Sequence, residues 1–259
     1  MTSISPALKP PTGAIVIGAS QGIGAALARR LAREGFSVAV LGRRAEPLEA
    51  LCAQINAEAG PGTARARAYV HDVTHYGAVP AVFQAILRDL GQVDIVIYCA
   101  GVLLPVELSE FNFEKDRAAL ETNVLGAVAW LNQAAMFFER MGSGHIVGIS
   151  SIAGERGRIG NPAYNASKAA LNSYLESLRN RLTRKGVHVL TVKPGFVDTP
   201  MLQSSRAKAF WVISPEQVAD ETWQAIRRRR QGFFVPGRWQ FVALVLRHIP
   251  SVIFRRMKF

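Results

Sequence analysis

Cysteine is nearly absent: Cys52 and Cys99 are the only two in 259 residues. One copy therefore builds neither a disulfide framework nor a four-thiolate zinc site, and a reducing compartment is expected. Acid is scarce as well, with 19 Asp and Glu against 31 Lys and Arg, a formal charge of +12. That imbalance invites nucleic acid, anionic lipid or a phosphorylated substrate, and charge alone does not choose among them. No run of 18 apolar residues occurs, which argues against a spanning helix. Met1 to Pro11 lacks the apolar stretch and cleavage site of an export signal, so a cytoplasmic location is expected. What the chain has in plenty is core-forming material. With 49% hydrophobic and 19% charged residues it is a globular sequence, not a disordered one.

From Gly13 onward, short β-branched runs alternate with longer stretches of helical period, the pattern of stacked βαβ units around a parallel sheet. Strands are predicted at 14–17, 37–41, 66–70, 94–98, 145–149, 187–192 and 232–235. Helices are predicted at 22–34, 45–59, 75–90, 117–141, 162–185 and 215–230. Without an internal repeat or a Ser/Gly linker, these make one α/β domain, doubly wound, with a parallel seven-stranded sheet and helices on both faces. The chain is thereby divided into an N-terminal extension over 1–12, the domain over 13–236 and a basic tail over 237–259.

The run Ile15-Val16-Ile17-Gly18-Ala19-Ser20-Gln21-Gly22-Ile23-Gly24 leaves a buried strand and opens a helix. Such a turn lets a pyrophosphate approach backbone N–H groups at the positive end of the helix. At the end of the second strand, where an acid would accept from the ribose 2′-hydroxyl of NAD, stands Leu41-Gly42-Arg43-Arg44. Two guanidinium groups there suit the 2′-phosphate of NADP(H), which is expected to be preferred over NAD(H); two solvated arginines starting a helix are the plainer account. His71-Asp72-x-x-His75 contains metal-ligand types but straddles a strand end, and no metal is expected.

Tyr164-Asn165-Ala166-Ser167-Lys168 lies on the fifth predicted helix, and the spacing of four puts Tyr164 and Lys168 on one face. A neighbouring ammonium stabilises a phenolate, so Tyr164 is a candidate proton donor and Lys168 its tuning group. Ser151, thirteen residues earlier, can hold the same substrate oxygen. No histidine has an evident base role beside it and no Gly-x-Ser-x-Gly elbow occurs, so a hydrolase is rejected.

These motifs resemble the short-chain dehydrogenase/reductase family over roughly 12–201, with a Gly-x-x-x-Gly-x-Gly turn. The resemblance implies a Rossmann fold, an NADP(H)-dependent oxidoreductase, and a proton-relay role for Asn123 in Thr122-Asn123-Val124. It implies that Asp72 and Val73 meet the adenine, that Ala100 and Gly101 line the cofactor, and that Pro194, Gly195, Val197 and Thr199 meet the nicotinamide. Lys168 would also grip the nicotinamide ribose, and homodimers or homotetramers are implied. One departure stands out: Cys99-Ala100-Gly101 replaces the family's Asn-Ala-Gly, which puts local strand bracing in question. Cys99 itself reads as a small buried residue.

The substrate side has two unusual features. Arg156 and Arg158 follow Ser151 closely and can bind a phosphate near the reacting carbon; salt bridging with Glu155 is the competing account. The tail from Trp239 to Phe259 is apolar, cation-rich and broken by Pro250, which suits short helices in an anionic membrane interface or packed on a partner subunit. Ser151-Ile152-Ala153-Gly154-Glu155-Arg156, with Leu246-Arg247-His248-Ile249-Pro250 and Ile253-Phe254-Arg255, is similar to the decaprenylphosphoryl 2-keto-pentose reductases. That similarity implies a ketone on a phosphorylated lipid. A reductase of 3-oxoacyl, sterol or generic ketones and a non-catalytic NADP-binding regulator are the alternatives. Arg227-Arg228-Arg229-Arg230 raises nucleic acid, but cations at a helix end also suit the dipole, and no nucleic-acid partner is expected.

Overall fold

A computed structural model describes residues 12–59, 65–205 and 209–257. All but Thr12 of the expected 1–12 extension lies outside these. Seven parallel strands form one sheet, in the order β3-β2-β1-β4-β5-β6-β7. They are β1 Gly13–Ile17, β2 Ser37–Gly42, β3 Ala66–Val70, β4 Ile95–Tyr98, β5 Gly144–Ile149, β6 Val187–Pro194 and β7 Gly232–Val235. All seven expected strands are present. The first half of the chain winds outward from β1 and the second half from β4, so the direction reverses between these two strands. Loops leaving adjacent strands diverge there and open a crevice at their carboxyl ends.

The inner strands read as near-continuous apolar runs because both their faces are covered, while the edge strand β3 carries Arg67 and an exposed Val70. Successive side chains alternate sides: Ala14 and Val16 pack toward one layer, and Ile15 and Ile17 toward the other. The first layer holds α1 Gly22–Arg33, α2 Ala45–Ala59 and α8 Pro215–Arg227. There Leu27 and Leu31 of α1 are fully buried, and Phe36 meets Trp223 of α8 edge-on at 5.6 Å. Each such leucine contributes about 1.5–3 kcal/mol by leaving water. The opposite layer holds α3 Val79–Leu90, α5 Gly126–Met141 and α6 Pro162–Leu182, packed around Trp130, Phe83 and Phe138.

Three differences from the expected helices have local causes. The stretch predicted at 117–141 begins earlier, as α4 Phe113–Leu120, because Asn112 caps it by accepting from the Lys115 N–H. Between α4 and α5 the ladder loosens into one π-helical turn over Glu121–Leu125, a distortion common at functional sites. Beyond β6 a short helix, α7 Pro200–Ser204, starts under the Thr199 side chain, which accepts from the Leu202 N–H. The tail folds as α9 Trp239–His248 and α10 Ser251–Phe254, separated at Pro250. Among the described residues no helix is long and apolar enough to cross a membrane.

Candidate active site

The crevice at the reversal point is a cavity of about 650 Å³. Its floor is the glycine turn: Gly18, Ser20, Gln21, Gly22, Ile23 and Gly24 all line it. Gly18 has φ +88°, and a Cβ there would overlap the Ala100 backbone, so only glycine lets the loops after β1 and β4 approach this closely. The positive end of α1 faces the cavity, and Gln21 caps it without a side-chain hydrogen bond, leaving first-turn N–H groups for an anion. Room and chemistry therefore fit a dinucleotide.

Arg43 and Arg44 line one end. The Arg44 guanidinium donates to Ser20 Oγ at 3.3 Å and Gln21 Oε1 at 2.7 Å, which fastens it to the turn. Arg43 stays mostly exposed, 3.8 Å from Asp72. Burial alone would raise the Asp72 pKa, but the Thr74 N–H and hydroxyl, with Arg43 beside them, hold it below the usual range. Asp72 is thus an anion on the cavity wall. His71 packs edge-on against Trp130 instead of facing Asp72 as a co-ligand, and burial lowers its pKa. Val73, Ala100, Gly101 and Thr199 complete the expected lining. Gly42, Val102, Thr122 and Met201 line it as well and were not anticipated. Gly42 had a readable signal, since it occupies the place where an acid would bind NAD.

Beside the cavity, β5 delivers Ser151 and the first turns of α6 deliver Tyr164 and Lys168. Ser151 Oγ accepts from the Ala153 N–H at 3.1 Å and stands beside the Tyr164 phenol, where it favours the phenolate. Lys168 is buried, donates to the Ile149 carbonyl at 3.1 Å, and lies 5.7 Å from the Tyr164 ring centre. Burial pushes the Tyr164 pKa up; the Ser151 hydroxyl and the Arg158 charge oppose it. Arg158 is thus a second cation beside the phenol, in addition to the Lys168 ammonium over its ring. Lys168, desolvated, falls to about 8. Gly101 on the cavity wall lies against both Lys168 and Asn123.

Asn123, in the π-helical turn, is fully buried. Its Oδ1 accepts from the Val102 N–H at 2.8 Å, and its Nδ2 donates to the Val102 carbonyl and to Ser167 Oγ. These bonds tie the loop after β4 to α6. The bracing that Cys99 was expected to weaken is met differently: Tyr98, fully buried, donates its hydroxyl to the Thr122 carbonyl at 2.6 Å. Burial raises the Cys99 thiol to about 12, which makes it inert.

The substrate side requires corrections. Arg156 does not face an anion site. Its Nη1 donates to the carbonyls of Leu246 at 2.5 Å and Ile249 at 2.6 Å, and its guanidinium covers the Phe254 ring at 3.9 Å. It satisfies the carbonyls that end α9, as a cation at a helix C-terminus should. Glu155, with its side chain 1% exposed, pairs with Lys193 at 2.7 Å and with Arg247. The competing account, a bridge from Arg156 or Arg158 to Glu155, is replaced by these two partners. Arg158 alone remains near the phenol, half-buried and bonded to Asn165.

Pro194, Gly195 and Val197 stand outside the cavity lining. Val197 is buried and bridges to Ile213, while Gly195 carries the Trp239 indole where a Cβ would overlap it. Trp239, Ala243 and Ile152 thereby form an apolar cluster directly after Ser151, with Phe196 and Phe234 against it. His145 and His188 are paired Nδ1 to Nδ1 at 2.9 Å across β5 and β6.

The short chain dehydrogenase family matches residues 12–209. The chain belongs to that family. It is an oxidoreductase of the NAD(P)-dependent type. Its relatives include an uncharacterized oxidoreductase of Myxococcus xanthus, 38% identical over 73% of both chains, and one of Mycobacterium tuberculosis, 34% identical over 76% of this chain and 78% of that one. An uncharacterized oxidoreductase of Staphylococcus epidermidis is 30% identical over 82% and 90%. A variant of the actinorhodin polyketide ketoreductase with NADPH superposes with TM-score 0.80 at 27% identity, over 87% of this short-chain dehydrogenase and 96% of the ketoreductase.

Proposed function

We propose that this protein reduces a ketone of apolar surroundings to a secondary alcohol with NADPH, Tyr164 giving the proton. The observation that carries the reading is a dinucleotide-sized cavity whose wall at Gly101 lies against buried Lys168, with the Tyr164 ring under the Lys168 ammonium and Ser151 beside the phenol. The bound NADPH supplies the hydride. Ser151 and Tyr164 hold the carbonyl oxygen, and Tyr164 passes its phenolic proton to it. Burial keeps that phenol protonated, as a donor for reduction must be. Arg158 offsets negative charge developing at the oxygen, and Lys168 holds the ribose side. Asn123 acts as a positioning residue whose bonds to Val102 and Ser167 keep the wall in place.

The preference for NADPH is supported by Arg44, fastened to the turn beside Arg43, and by Gly42 where NAD would need an acid. The apolar cluster of Ile152, Trp239 and Ala243 supports a hydrophobic ketone. With Arg156 committed to the tail, support for a phosphorylated lipid ketone narrows to Arg158, and a polyprenyl-phosphate keto-sugar becomes one candidate within the class. A polyketide or 3-oxoacyl ketone is the second, favoured by the named ketoreductase neighbour. Exposed Leu120, Leu125 and Met136 along α4 and α5 support a homo-oligomer.

The deciding experiment follows NADPH oxidation over a panel of acyl, sterol and lipid-linked ketones. Tyr164→Phe is expected to lower kcat by roughly 10²–10⁴-fold while the NADPH Kd holds within about twofold. A wild type that binds NADPH and turns over no ketone would favour a non-catalytic binding role instead.

A further inference from the structure

Residues 237–259 contain four arginines and one lysine and no acidic residue. α9 is apolar on two sides. Its inner face, Trp239, Ala243 and Leu246, is buried, while Phe241, Leu244 and Val245 form a second stripe at spacings of three and one, exposed by 74%, 56% and 60%. One buried face explains why the helix docks; nothing in the domain explains the other. On α10, Val252 and Ile253 are more than half exposed, and Arg255 and Arg256 follow them into solvent. At the start of α9, Phe210 and Trp211, each about half exposed, stack on Trp239 at 5.1 and 5.5 Å, and Arg238 covers the Trp211 ring at 4.7 Å. Bulky apolar groups, an aromatic margin and unpaired cations thus share one end of the molecule.

We propose that this end docks onto an anionic lipid bilayer, α9 and α10 lying in the interface with Phe241, Leu244 and Val245 among the acyl chains. A helix with an apolar outer stripe and flanking cations binds such an interface through buried area together with attraction to anionic headgroups. A second copy is a poor occupant, because a symmetric contact sets two basic segments face to face with no acid in either to offset Arg238, Arg255 and Arg256. Nucleic acid satisfies the cations and leaves the apolar stripe in water.

The attachment is firm. Arg156 binds the Leu246 and Ile249 carbonyls, and Glu155 holds Arg247, so α9 is fixed to the segment after Ser151. Docking then holds the apolar cluster beside Ser151 one helix thickness from the membrane. The proposal goes beyond the reductase reading and stands apart from it in test, since vesicle binding is measured without turnover.

Full-length protein is sedimented with vesicles of phosphatidylcholine containing phosphatidylglycerol, with vesicles of phosphatidylcholine alone, and with random-sequence RNA. The wild type is expected to bind the anionic vesicles, and raised salt to weaken that binding. Arg255→Glu with Arg256→Glu should reduce partition by at least about tenfold, and Phe241→Ser with Leu244→Ser should abolish it. NADPH binding should be unchanged in both, which shows that they fold. No binding by the wild type overturns the proposal. So does equal binding by the Phe241→Ser/Leu244→Ser variant, or RNA binding tighter than vesicle binding and indifferent to that variant. A dimer without lipid that this variant dissociates assigns the face to a second copy and likewise overturns it.

Discussion

The cofactor side and the substrate side of this short-chain dehydrogenase are built by different means. On the cofactor side, the glycine turn, Arg43-Arg44 and Asp72 each belong to a short segment at a strand's carboxyl end, and the groups facing the cavity include backbone N–H and guanidinium. On the substrate side, neighbours in space are distant in sequence: Arg156 meets Leu246 and Ile249 across about 90 residues, and Glu155 reaches Lys193 and Arg247 from one buried carboxylate. The first design binds an invariant ligand with little tertiary help. The second makes the segment after Ser151 depend on the seating of the tail.

The sharpest way to break this contrast is Glu155→Gln. It leaves Lys193 and Arg247 facing a neutral buried amide, and loss of one partner of a buried pair costs about 3 kcal/mol. Arg247 is half exposed and recovers part of that in water, so urea denaturation should show a loss of roughly 2 kcal/mol. The KM for ketone should rise several-fold with the NADPH Kd unchanged. An equal rise in both would show that the two sides are not independent.

A smaller effect marks the far end of the sheet, remote from both sides. Burial holds His145 at about 3 and His188 at about 4, and His188 Nε2 also bonds the Arg230 carbonyl. Both values lie below the unfolded reference near 6.5, so the unfolded chain binds more protons as pH falls. The stability is present above pH 6.5 and is lost progressively below it, on the order of 1.5 kcal/mol for the pair between pH 7 and pH 6. Thermal unfolding across that range checks it. His188→Gln should flatten the dependence while leaving ketone KM and NADPH affinity alone.

The mildest change sharpens the cofactor side. Arg43→Asp removes a cation and adds an acid next to Gly42, where the ribose 2′-oxygen is expected. The NADPH Kd should rise about tenfold, near 1.4 kcal/mol, and the NADH Kd should fall, with ketone KM preserved. Isothermal titration with both cofactors reads this directly. A wild type already favouring NADH would remove the assignment of the two arginines.

Strand identity and cavity lining were legible wherever the signal was local. The glycine run follows an apolar strand, Pro215 and Ser214 mark the start of α8, and the spacing of Tyr164 and Lys168 places them on one face. The π-helical turn at Glu121–Leu125 was not legible, because the period of an apolar stripe hardly changes when one turn widens. Nor was the role of Gly195, whose reason is an indole more than forty residues away. Arg156 misled for a related cause: a guanidinium near a catalytic serine suits a phosphate and a helix C-terminus equally well in sequence, and only the position of α9 separates them.

By itself the sequence determined the layered α/β fold, since alternating apolar runs and helical periods have few ways to bury both faces of a sheet. It also determined the dinucleotide turn, where residue type and strand-to-helix context coincide within ten positions. Tertiary structure alone decided that Arg158 stands near Tyr164 as well as Lys168, what Glu155 and Arg156 hold, and that His145 and His188 share a proton-excluding contact. Charge interactions depend on distance and burial, and neither is set until the strands are in register and the tail has closed over them.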